Sequence, residues 1–224
     1  MKRVLTSAAI PYKHLAVALL GFWVPMVLFA LLANEVGERE PIGIDLQILQ
    51  RVHQFASPVM ERIALVLTTL GSAEVIVLIV AALALYLARQ KQRRHTALLL
   101  FGVGGAVAAN IVLKLLFQRA RPELWVHMVA ENGYSFPSGH AMASSALAMS
   151  IVLILWHTKW RWLAAGVAAL YVAGVGYSRL YLGVHYPSDV VAGWCLSVAW
   201  VLIAYYILRL GSAMRRARNG TVGA

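Results

Sequence analysis

Long stretches of hydrophobic residues, separated by short charged segments, dominate the pattern along this chain. A helix needs roughly 20 apolar residues to cross the hydrocarbon core of a bilayer. Six stretches of suitable length predict transmembrane helices at residues 15–33, 63–88, 97–117, 139–156, 162–177 and 190–208. The first stretch is longer than a signal-peptide core and is followed by no small-residue cleavage site, so we expect a permanent span. The pattern therefore predicts an all-α, polytopic membrane protein in which residues 1–224 form a single domain.

A more polar segment at 34–62 separates the first two predicted spans. Its hydrophobic residues recur at roughly helical spacing: Ile44, Leu46, Ile48, Leu49, Val52 and Phe55. This spacing predicts a short helix that lies at the membrane interface and covers one end of the bundle.

The composition agrees with a membrane protein, because 61% of the residues are hydrophobic and only 13% are charged. These values exclude an ordinary water-soluble domain. The chain contains 1 cysteine, Cys195, which excludes an intramolecular disulfide framework.

The 20 Lys and Arg residues outnumber the 9 Asp and Glu residues, and their positions indicate an orientation. When the N-terminus is placed inside, the inner segments contain bases and no acids, as the positive-inside rule requires. The inner bases are Lys2, Arg3, Lys13, Arg89, Lys91, Arg93, Arg94, Lys159, Arg161, Arg209, Arg215, Arg216 and Arg218. We therefore expect both termini to be cytoplasmic, and topology accounts for the basic excess without nucleic-acid binding.

Three polar groups fall near the predicted outer ends of the spans, where an ionisable side chain at membrane depth costs about 2.5 to 3.5 kcal/mol. In the first group, Lys114 and Arg121 are separated by seven residues, close to two helical turns, so both cations can face one direction. Pro122 favours an extended conformation at Arg121 and ends the helix. Taken alone, this group also fits arginine side chains that snorkel to the interface.

The second group is the sequence Pro-Ser-Gly-His at 137–140, at the start of the fourth predicted span. Proline is favoured at the first helical position, and Gly139 permits a close approach of the backbone. Free amides and the helix dipole at such a terminus form an anion site, to which His140 adds a titratable proton.

The third group consists of Ser178, Arg179, His185 and Asp189, between the fifth and sixth predicted spans. A carboxylate four residues after a histidine can hold one ring nitrogen and leave the other as a nucleophile if the chain turns, as Pro187 indicates. The predicted topology puts all three groups on the same face of the membrane. Together they supply the cations, helix terminus, histidines and carboxylate needed to hold a tetrahedral phosphate and break a bond to it.

The three motifs resemble those of the type 2 phosphatidic acid phosphatase family (PAP2), whose pattern is K-x6-RP, then PSGH, then SR-x5-H-x3-D. Every motif position matches within residues 114–189, in the family's order. The six predicted spans extend the resemblance over nearly the whole chain. The resemblance implies an all-helical bundle with six spans and a metal-independent, two-step phosphoryl transfer through a phosphohistidine.

The residue types predict individual roles in such a reaction. We expect His185 to be the nucleophile, while Asp189 fixes its tautomer and stabilises the developing positive charge. His140 would be the general acid and would afterwards activate water. The groups expected to bind the phosphoryl oxygens are Lys114, Arg121, Ser138, the amide of Gly139, and Arg179.

Neither a metal nor another cofactor is expected, because the outer acids lack the convergent spacing of a two-metal site. Arg119 matches no motif position, and we expect it to contact a lipid headgroup or a loop. Glu74 would either pair with a cation of the site or snorkel outwards. Among the histidines outside the motifs, His127, in the outer loop, is kept as a minor candidate for a role in the site.

The loop at 123–136 is too short for a large soluble lid, so the site should open towards the lipid. Trp125, Tyr134 and Phe136 are expected to form an aromatic rim at the interface. These features favour a membrane lipid phosphate over a soluble sugar phosphate. We slightly favour undecaprenyl diphosphate, because an outer-facing site in a bacterial inner membrane suits carrier recycling.

Several alternatives remain open at this point. Phosphatidylglycerophosphate and phosphatidic acid are the other candidate lipids, and a lipid phosphotransferase could use the same residues. A non-catalytic anion-binding or transport protein would need the cations but not both histidines. The sequence predicts no oligomeric state.

Overall fold

Glycine, proline and small polar residues divide the apolar sequence into helices. A computed structural model describes residues 12–38 and 42–221, with side chains described at 19–38 and 42–211. The described residues form eight helices. They are α1 (Tyr12–Gly37), α2 (Gly43–His53), α3 (Pro58–Leu70), α4 (Ala73–Arg89), α5 (Arg93–Phe117), α6 (Gly139–Leu155), α7 (Arg161–Tyr181) and α8 (Pro187–Thr221).

Four helices, α1, α5, α7 and α8, are long and apolar enough to cross a membrane, judged by length and composition. Helices α3 and α4 pass the same test only as one bent span, and α6 is apolar but has 17 residues. The predicted all-α, multi-pass membrane fold is confirmed. The described helices give four or five spans by this test, so the predicted count of six is not reached.

The predicted span at 63–88 is interrupted, because α3 and α4 meet at an angle of 48°. Gly71 ends α3, and the Oγ of Ser72 begins α4 by accepting a hydrogen bond of 3.4 Å from the amide of Val75. Glycine after a helix and serine at a helix start are favoured at such a break. A Cβ at Gly71 would lie 2.5 Å from Val175, so the glycine also lets the bend pack closely on α7.

Helices α5, α6 and α8 pack against one another at the centre of the bundle, with α1 against α8, α3 against α7 and α4 against α5. Leu99, Met142 and Val201 are fully buried where the three central helices meet. Small residues permit this close packing: a Cβ at Gly105 would lie 2.3 Å from the ring of Trp200. Many leucine and valine side chains remain exposed on the outside, as expected for a surface that faces lipid.

The bundle has two chemically different ends. At the motif end, α5 and α7 end and α6 and α8 begin; at the basic end are the turns that join α4 to α5 and α6 to α7. Helix α2 contacts α7 and α8 and buries Asp45 and Leu49. A short helix is thus present within 34–62, as the sequence predicts, and it packs at the motif end.

Candidate active site

Four helix termini bring the three motifs together. After α5, Gln118 adopts a left-handed conformation (φ 48°) and turns the chain into the loop at 118–138. After α7, Gly183 has a φ of 71°, a conformation that glycine adopts without steric cost. The chain then passes through His185 and enters α8 at Pro187. Both turns direct polar segments back over the end of the bundle.

His185 is buried, with 1% of its surface exposed. Its Nδ1 lies 3.3 Å from Oδ2 of Asp189, and its Nε2 lies 3.2 Å from Nη1 of Arg121. An arginine can only donate a hydrogen bond, so Nε2 accepts and the proton on Nδ1 points at Asp189. This tautomer presents the lone pair of Nε2 as a potential nucleophile.

The pKa of His185 is lowered to about 4, chiefly by burial. The hydrogen bond and charge of Asp189 raise this pKa, whereas the charges of Arg179 and Arg121 lower it. The imidazole is therefore neutral at neutral pH, the form in which a histidine can attack phosphorus.

Asp189 is fully buried and makes several hydrogen bonds. Its Oδ2 accepts from the amide of Tyr186 at 2.9 Å and from the hydroxyl of Ser135, in addition to facing His185. Its Oδ1 accepts from Arg119 at 2.5 Å. These contacts fix the orientation of the carboxylate that faces the histidine.

Arg121 lies in the loop beyond α5, as Pro122 predicts. Its Nη1 donates to the carbonyl of Val184 at 2.8 Å, and its Nε donates to the carbonyl of Gly133 at 3.1 Å. Its Nη2 lies 3.3 Å from Oε2 of Glu131. The guanidinium is therefore held against His185 by contacts from two segments of the chain.

Arg179 is also buried, and its two terminal nitrogens donate to Thr68 and to Glu131. Its Nε is buried and has no hydrogen-bond partner among the described residues. An unpaired buried donor costs about 1–3 kcal/mol, so an acceptor oxygen that reached this nitrogen would be bound favourably.

Glu131 bridges Arg121 and Arg179. Burial acts to raise the pKa of Glu131, but the charges of Arg179, His140 and Arg121 hold the pKa below its usual value. Glu131 is therefore an ionised carboxylate between two cations of the motifs. Sequence reasoning counted it only as an outer acid, because nothing near residue 131 indicates which cations it meets.

Lys114 and His140 complete the cluster, and both are partly exposed. Lys114 lies within electrostatic range of Arg121, Arg179, Glu131 and Asp189. His140 lies within range of Lys114, Arg179, Glu131 and His185. The structure thus brings together all six ionisable residues of the motifs.

The Pro-Ser-Gly-His sequence forms the start of α6, although one detail of the prediction is wrong. Ser138 is the N-cap, so Pro137 precedes the helix and does not occupy its first position. The Oγ of Ser138 accepts from the amide of Ala141 at 3.5 Å. The close approach expected at Gly139 is present, because a Cβ there would lie 3.1 Å from Oδ1 of Asn110. Asn110, which sequence reasoning missed, holds the turn by donating to the carbonyl of Pro137 at 2.9 Å.

Arg119 makes contacts that the sequence did not predict, because its side chain reaches two buried carboxylates. Its side chain is 12% exposed, and it reaches Asp189 at 2.5 Å and Asp45 of α2 at 2.9 Å. The sequence could have flagged Arg119 as a third cation within the first motif. It gave no signal for Asp45, which lies 74 positions away.

Two further residues of interest lie outside this cluster of contacts. Glu74 is exposed in the first turn of α4, and the ion pairs found within residues 19–38 and 42–211 do not include it. Of the two alternatives for Glu74, the pairing with a site cation is therefore not found among those residues. The Nε2 of His127 lies 2.8 Å from the carbonyl of Pro122, a contact within its own loop.

The expected aromatic rim is wrong at Phe136, which is fully buried and packs against Phe29 and Phe117. Trp125 and Tyr134 are partly exposed. Exposed apolar side chains in this loop occur instead at Leu124, Val126 and Met128, with Val126 91% exposed.

Comparison with known proteins agrees with this arrangement. The sequence model of the PAP2 superfamily matches residues 95–211, a segment that contains all three motifs and the four helix termini around them. The chain belongs to the PAP2 superfamily. The family resemblance and the expectation of a PAP2-type phosphatase are thereby confirmed.

Individual PAP2 relatives cover much of the chain. An undecaprenyl-diphosphatase of Sulfolobus acidocaldarius is 29% identical over 188 residues, which are 80% of this chain and 87% of that protein. Phosphatidylglycerophosphatase B of Bacillus subtilis is 34% identical over 130 residues, 54% of this chain and 60% of that protein. The crystal structure of a transmembrane PAP2-type phosphatidylglycerolphosphate phosphatase from Bacillus subtilis superposes with a TM-score of 0.75 at 23% identity, covering 87% of this chain and 97% of that one. The last similarity establishes the common fold.

Proposed function

We propose that this PAP2 protein hydrolyses a phosphate or diphosphate ester of a membrane lipid through a covalent phosphohistidine at His185. The observation that carries the proposal is the arrangement of His185 between Asp189 and Arg121, with Nδ1 3.3 Å from the carboxylate and Nε2 3.2 Å from the guanidinium. This geometry provides an oriented, neutral nucleophile beside a cation that can bind the group under attack.

In the first step, Nε2 of His185 attacks phosphorus, and the bond from phosphorus to the leaving oxygen breaks. His140 donates a proton to that oxygen, and Asp189 stabilises the positive charge that develops on the imidazole. In the second step, His140 takes a proton from water, whose oxygen attacks phosphorus and breaks the N–P bond. Free phosphate leaves, and His185 is restored.

The phosphoryl oxygens would be bound by Lys114, Arg121 and Arg179, with contributions from Ser138 and the amide of Gly139. The unpaired Nε of Arg179 is suited to one of these oxygens. Glu131 lies between the two arginines, so the incoming phosphoryl group would have to displace its carboxylate. No step in this mechanism requires a metal ion.

A lipid substrate is supported by the multi-pass fold and by the apolar side chains exposed in the adjacent loop, such as Val126. We favour undecaprenyl diphosphate because the relative whose sequence aligns with 80% of this chain carries the name undecaprenyl-diphosphatase. Phosphatidylglycerophosphate is the second candidate, supported by the names of the Bacillus subtilis relatives. Phosphatidic acid is a third.

The orientation also belongs to the proposal. The distribution of bases favours cytoplasmic termini and an active site on the outer face of a bacterial inner membrane. A tag at residue 224 that is accessible only from the cytoplasm supports this orientation. Labelling of the tag from outside would refute it and place the active site on the cytoplasmic face.

The decisive experiment measures phosphate release by purified protein from the three lipids in mixed micelles with a chelator present. We compare the wild type with His185→Ala and with the matched control His127→Ala, which removes a histidine whose Nε2 contacts the carbonyl of Pro122 in its own loop. We expect chelator-resistant release, an acid-labile phosphoenzyme, and a loss of at least about a thousandfold in His185→Ala alone. Full activity in His185→Ala would refute the covalent mechanism.

Analysis of the products separates hydrolysis from phosphotransfer. Equal amounts of free phosphate and dephosphorylated lipid indicate hydrolysis. Phosphate recovered on a second lipid would instead establish a phosphotransferase that uses the same histidine.

A further inference from the structure

Asp45 is an acidic residue buried where α2 meets the start of α8, with 1% of its surface exposed. Its Oδ1 accepts from the amide of Ser188 at 2.9 Å, and its Oδ2 accepts from the hydroxyl of Ser188 at 2.5 Å. Oδ2 also lies 2.9 Å from Nη2 of Arg119. A buried carboxylate with this number of hydrogen-bond donors is held in one position.

Arg119 connects Asp45 to the residue that faces His185. Its Nη2 binds Asp45, while its Nη1 donates to Oδ1 of Asp189 at 2.5 Å and to the hydroxyl of Ser188 at 2.7 Å. The guanidinium also lies over the ring of Tyr186, 4.0 Å from the ring centroid. Arg119 is therefore clamped on both sides, and its planar shape fixes the direction of the bond to Asp189.

The two oxygens of Asp189 have separate partners. Oδ1 faces Arg119, whereas Oδ2 faces His185. Without Asp45, the guanidinium of Arg119 would cancel much of the negative charge of Asp189. A phosphorylated imidazole at His185 needs that negative charge nearby. Asp45 balances the charge of Arg119, so the group of two carboxylates and one guanidinium retains one net negative charge beside His185.

We infer that Asp45 is a positioning residue for the phosphoryl-transfer step, acting through Arg119 to hold Asp189 in the orientation and charge state that select the Nδ1–H tautomer of His185. This inference rests on the proposed function. It gives α2, which lies outside all three motifs, a defined part in the chemistry. Asp45 touches neither the nucleophile nor the phosphoryl group; its effect is transmitted by two hydrogen-bonded side chains.

A purely structural role would also explain a buried ion pair, since Asp45 joins α2 to α8. The test therefore needs a readout that loss of stability does not change. We compare Asp45→Asn, Arg119→Gln and the double variant with Glu35→Gln, which removes one negative charge from an exposed position near the end of α1. The kcat and KM are measured for folded protein, quantified by size-exclusion chromatography and thermal unfolding.

For Asp45→Asn we expect kcat to fall about 10- to 100-fold, the usual effect of removing a partner that orients a reacting group, with KM changed less than about twofold. Because Asp45 acts through Arg119, adding Asp45→Asn to Arg119→Gln should cause no further loss of kcat. Glu35→Gln should behave as the wild type.

The tautomer of His185 provides the second readout. In protein labelled with ¹⁵N-histidine, the ring signals of His185 are assigned by their absence in His185→Ala. We expect the Nδ1–H form in the wild type and a larger share of the Nε2–H form in Asp45→Asn.

The inference is overturned if folded Asp45→Asn retains the wild-type kcat and tautomer, or if the losses in the double variant multiply. Either result, obtained while His185→Ala is inactive, rejects the role of Asp45 alone. Activity in His185→Ala would instead reject the proposed function on which the inference depends.

Discussion

The two ends of the helix bundle both carry basic residues but use them differently. At the motif end, Arg119, Arg121 and Arg179 are largely withdrawn from solvent, and each forms an ion pair with a carboxylate. At the basic end, Lys91, Arg93 and Arg94 are exposed at the rim of a cavity of about 550 Å³. The sequence of the turns there contains no acid.

This difference separates two reasons for a membrane protein to be basic. Exposed bases without acidic neighbours in the sequence are what the positive-inside rule produces, and they need no precise geometry. Buried bases must be compensated, because an isolated charge away from water is costly. The carboxylates at the motif end provide that compensation, and the unpaired Nε of Arg179 leaves capacity for a further anion.

The largest effect should follow from Asp189→Asn. The amide of asparagine can donate towards Nδ1 and favours the wrong tautomer of His185, so kcat should fall by about 10³- to 10⁴-fold with the protein still folded. Steady-state kinetics on a lipid phosphate checks this, with Arg93→Gln at the basic end as the control. A loss below tenfold would mean that Asp189 does not orient the histidine.

A loss of about 10²-fold in kcat/KM is expected for Arg179→Lys. Lysine cannot reproduce the forked donors that reach Thr68 and Glu131 and that are proposed to bind the phosphoryl group. Arg161→Lys is the matched control, since Arg161 lies at the opposite end of the same helix. If both substitutions lowered kcat/KM equally, the bases at the motif end would not differ in function from those at the basic end.

The acidic limb of the pH profile should reflect the low pKa of His185. Protonation abolishes the nucleophile, and the pKa is lowered to about 4 mainly by burial, with Arg121 and Arg179 opposing Asp189. The contribution of His185 to kcat/KM should therefore stay constant as the pH falls through 6.5, the ordinary pKa of histidine, and drop about tenfold per unit only below about 4. Measurements with a short-chain lipid phosphate test this. A midpoint near 6.5 in the titration of the ¹⁵N ring signals of His185 would contradict the proposed environment.

The smallest effect is expected for Glu131→Gln. Removing the carboxylate that competes for Arg121 and Arg179 should lower KM about fivefold, corresponding to about 1 kcal/mol. Glu123→Gln, an exposed acid of the same loop, serves as the control. An increase in KM would show that Glu131 assists binding and does not compete with the phosphoryl group.

The sequence predicts the parts of the fold that depend on local pattern. Apolar stretches locate the long helices, and helical spacing locates α2, because burial in lipid or at an interface imposes a periodicity visible along the chain. The break at Gly71 and Ser72 was missed because both flanking segments are apolar and together have the length of one span. The glycine and serine were nevertheless present as a stop and start signal.

The convergence of the motifs was also predictable, because topology puts the relevant helix termini on one side. The partners of the motif residues were not. Asp45 lies 74 positions from its partner Arg119. Glu131 and Thr68 lie 48 and 111 positions from their common partner Arg179. Such contacts depend on how helices pack, and no local pattern encodes them. Phe136 shows the same limit, since an aromatic residue near a membrane surface can equally face the core.

The bonds from Asp45 to Ser188 join positions 143 residues apart in the chain. During synthesis, α2 emerges long before α8, so the carboxylate of Asp45 lacks its contacts with Ser188 until α8 is inserted. A nascent or truncated chain that stops before residue 187 lacks Asp189, and its Arg119 is left beside Asp45 alone. In the proposed mechanism the nucleophile is therefore aligned only once α8 is in place, so the reaction could begin only after this helix has been inserted.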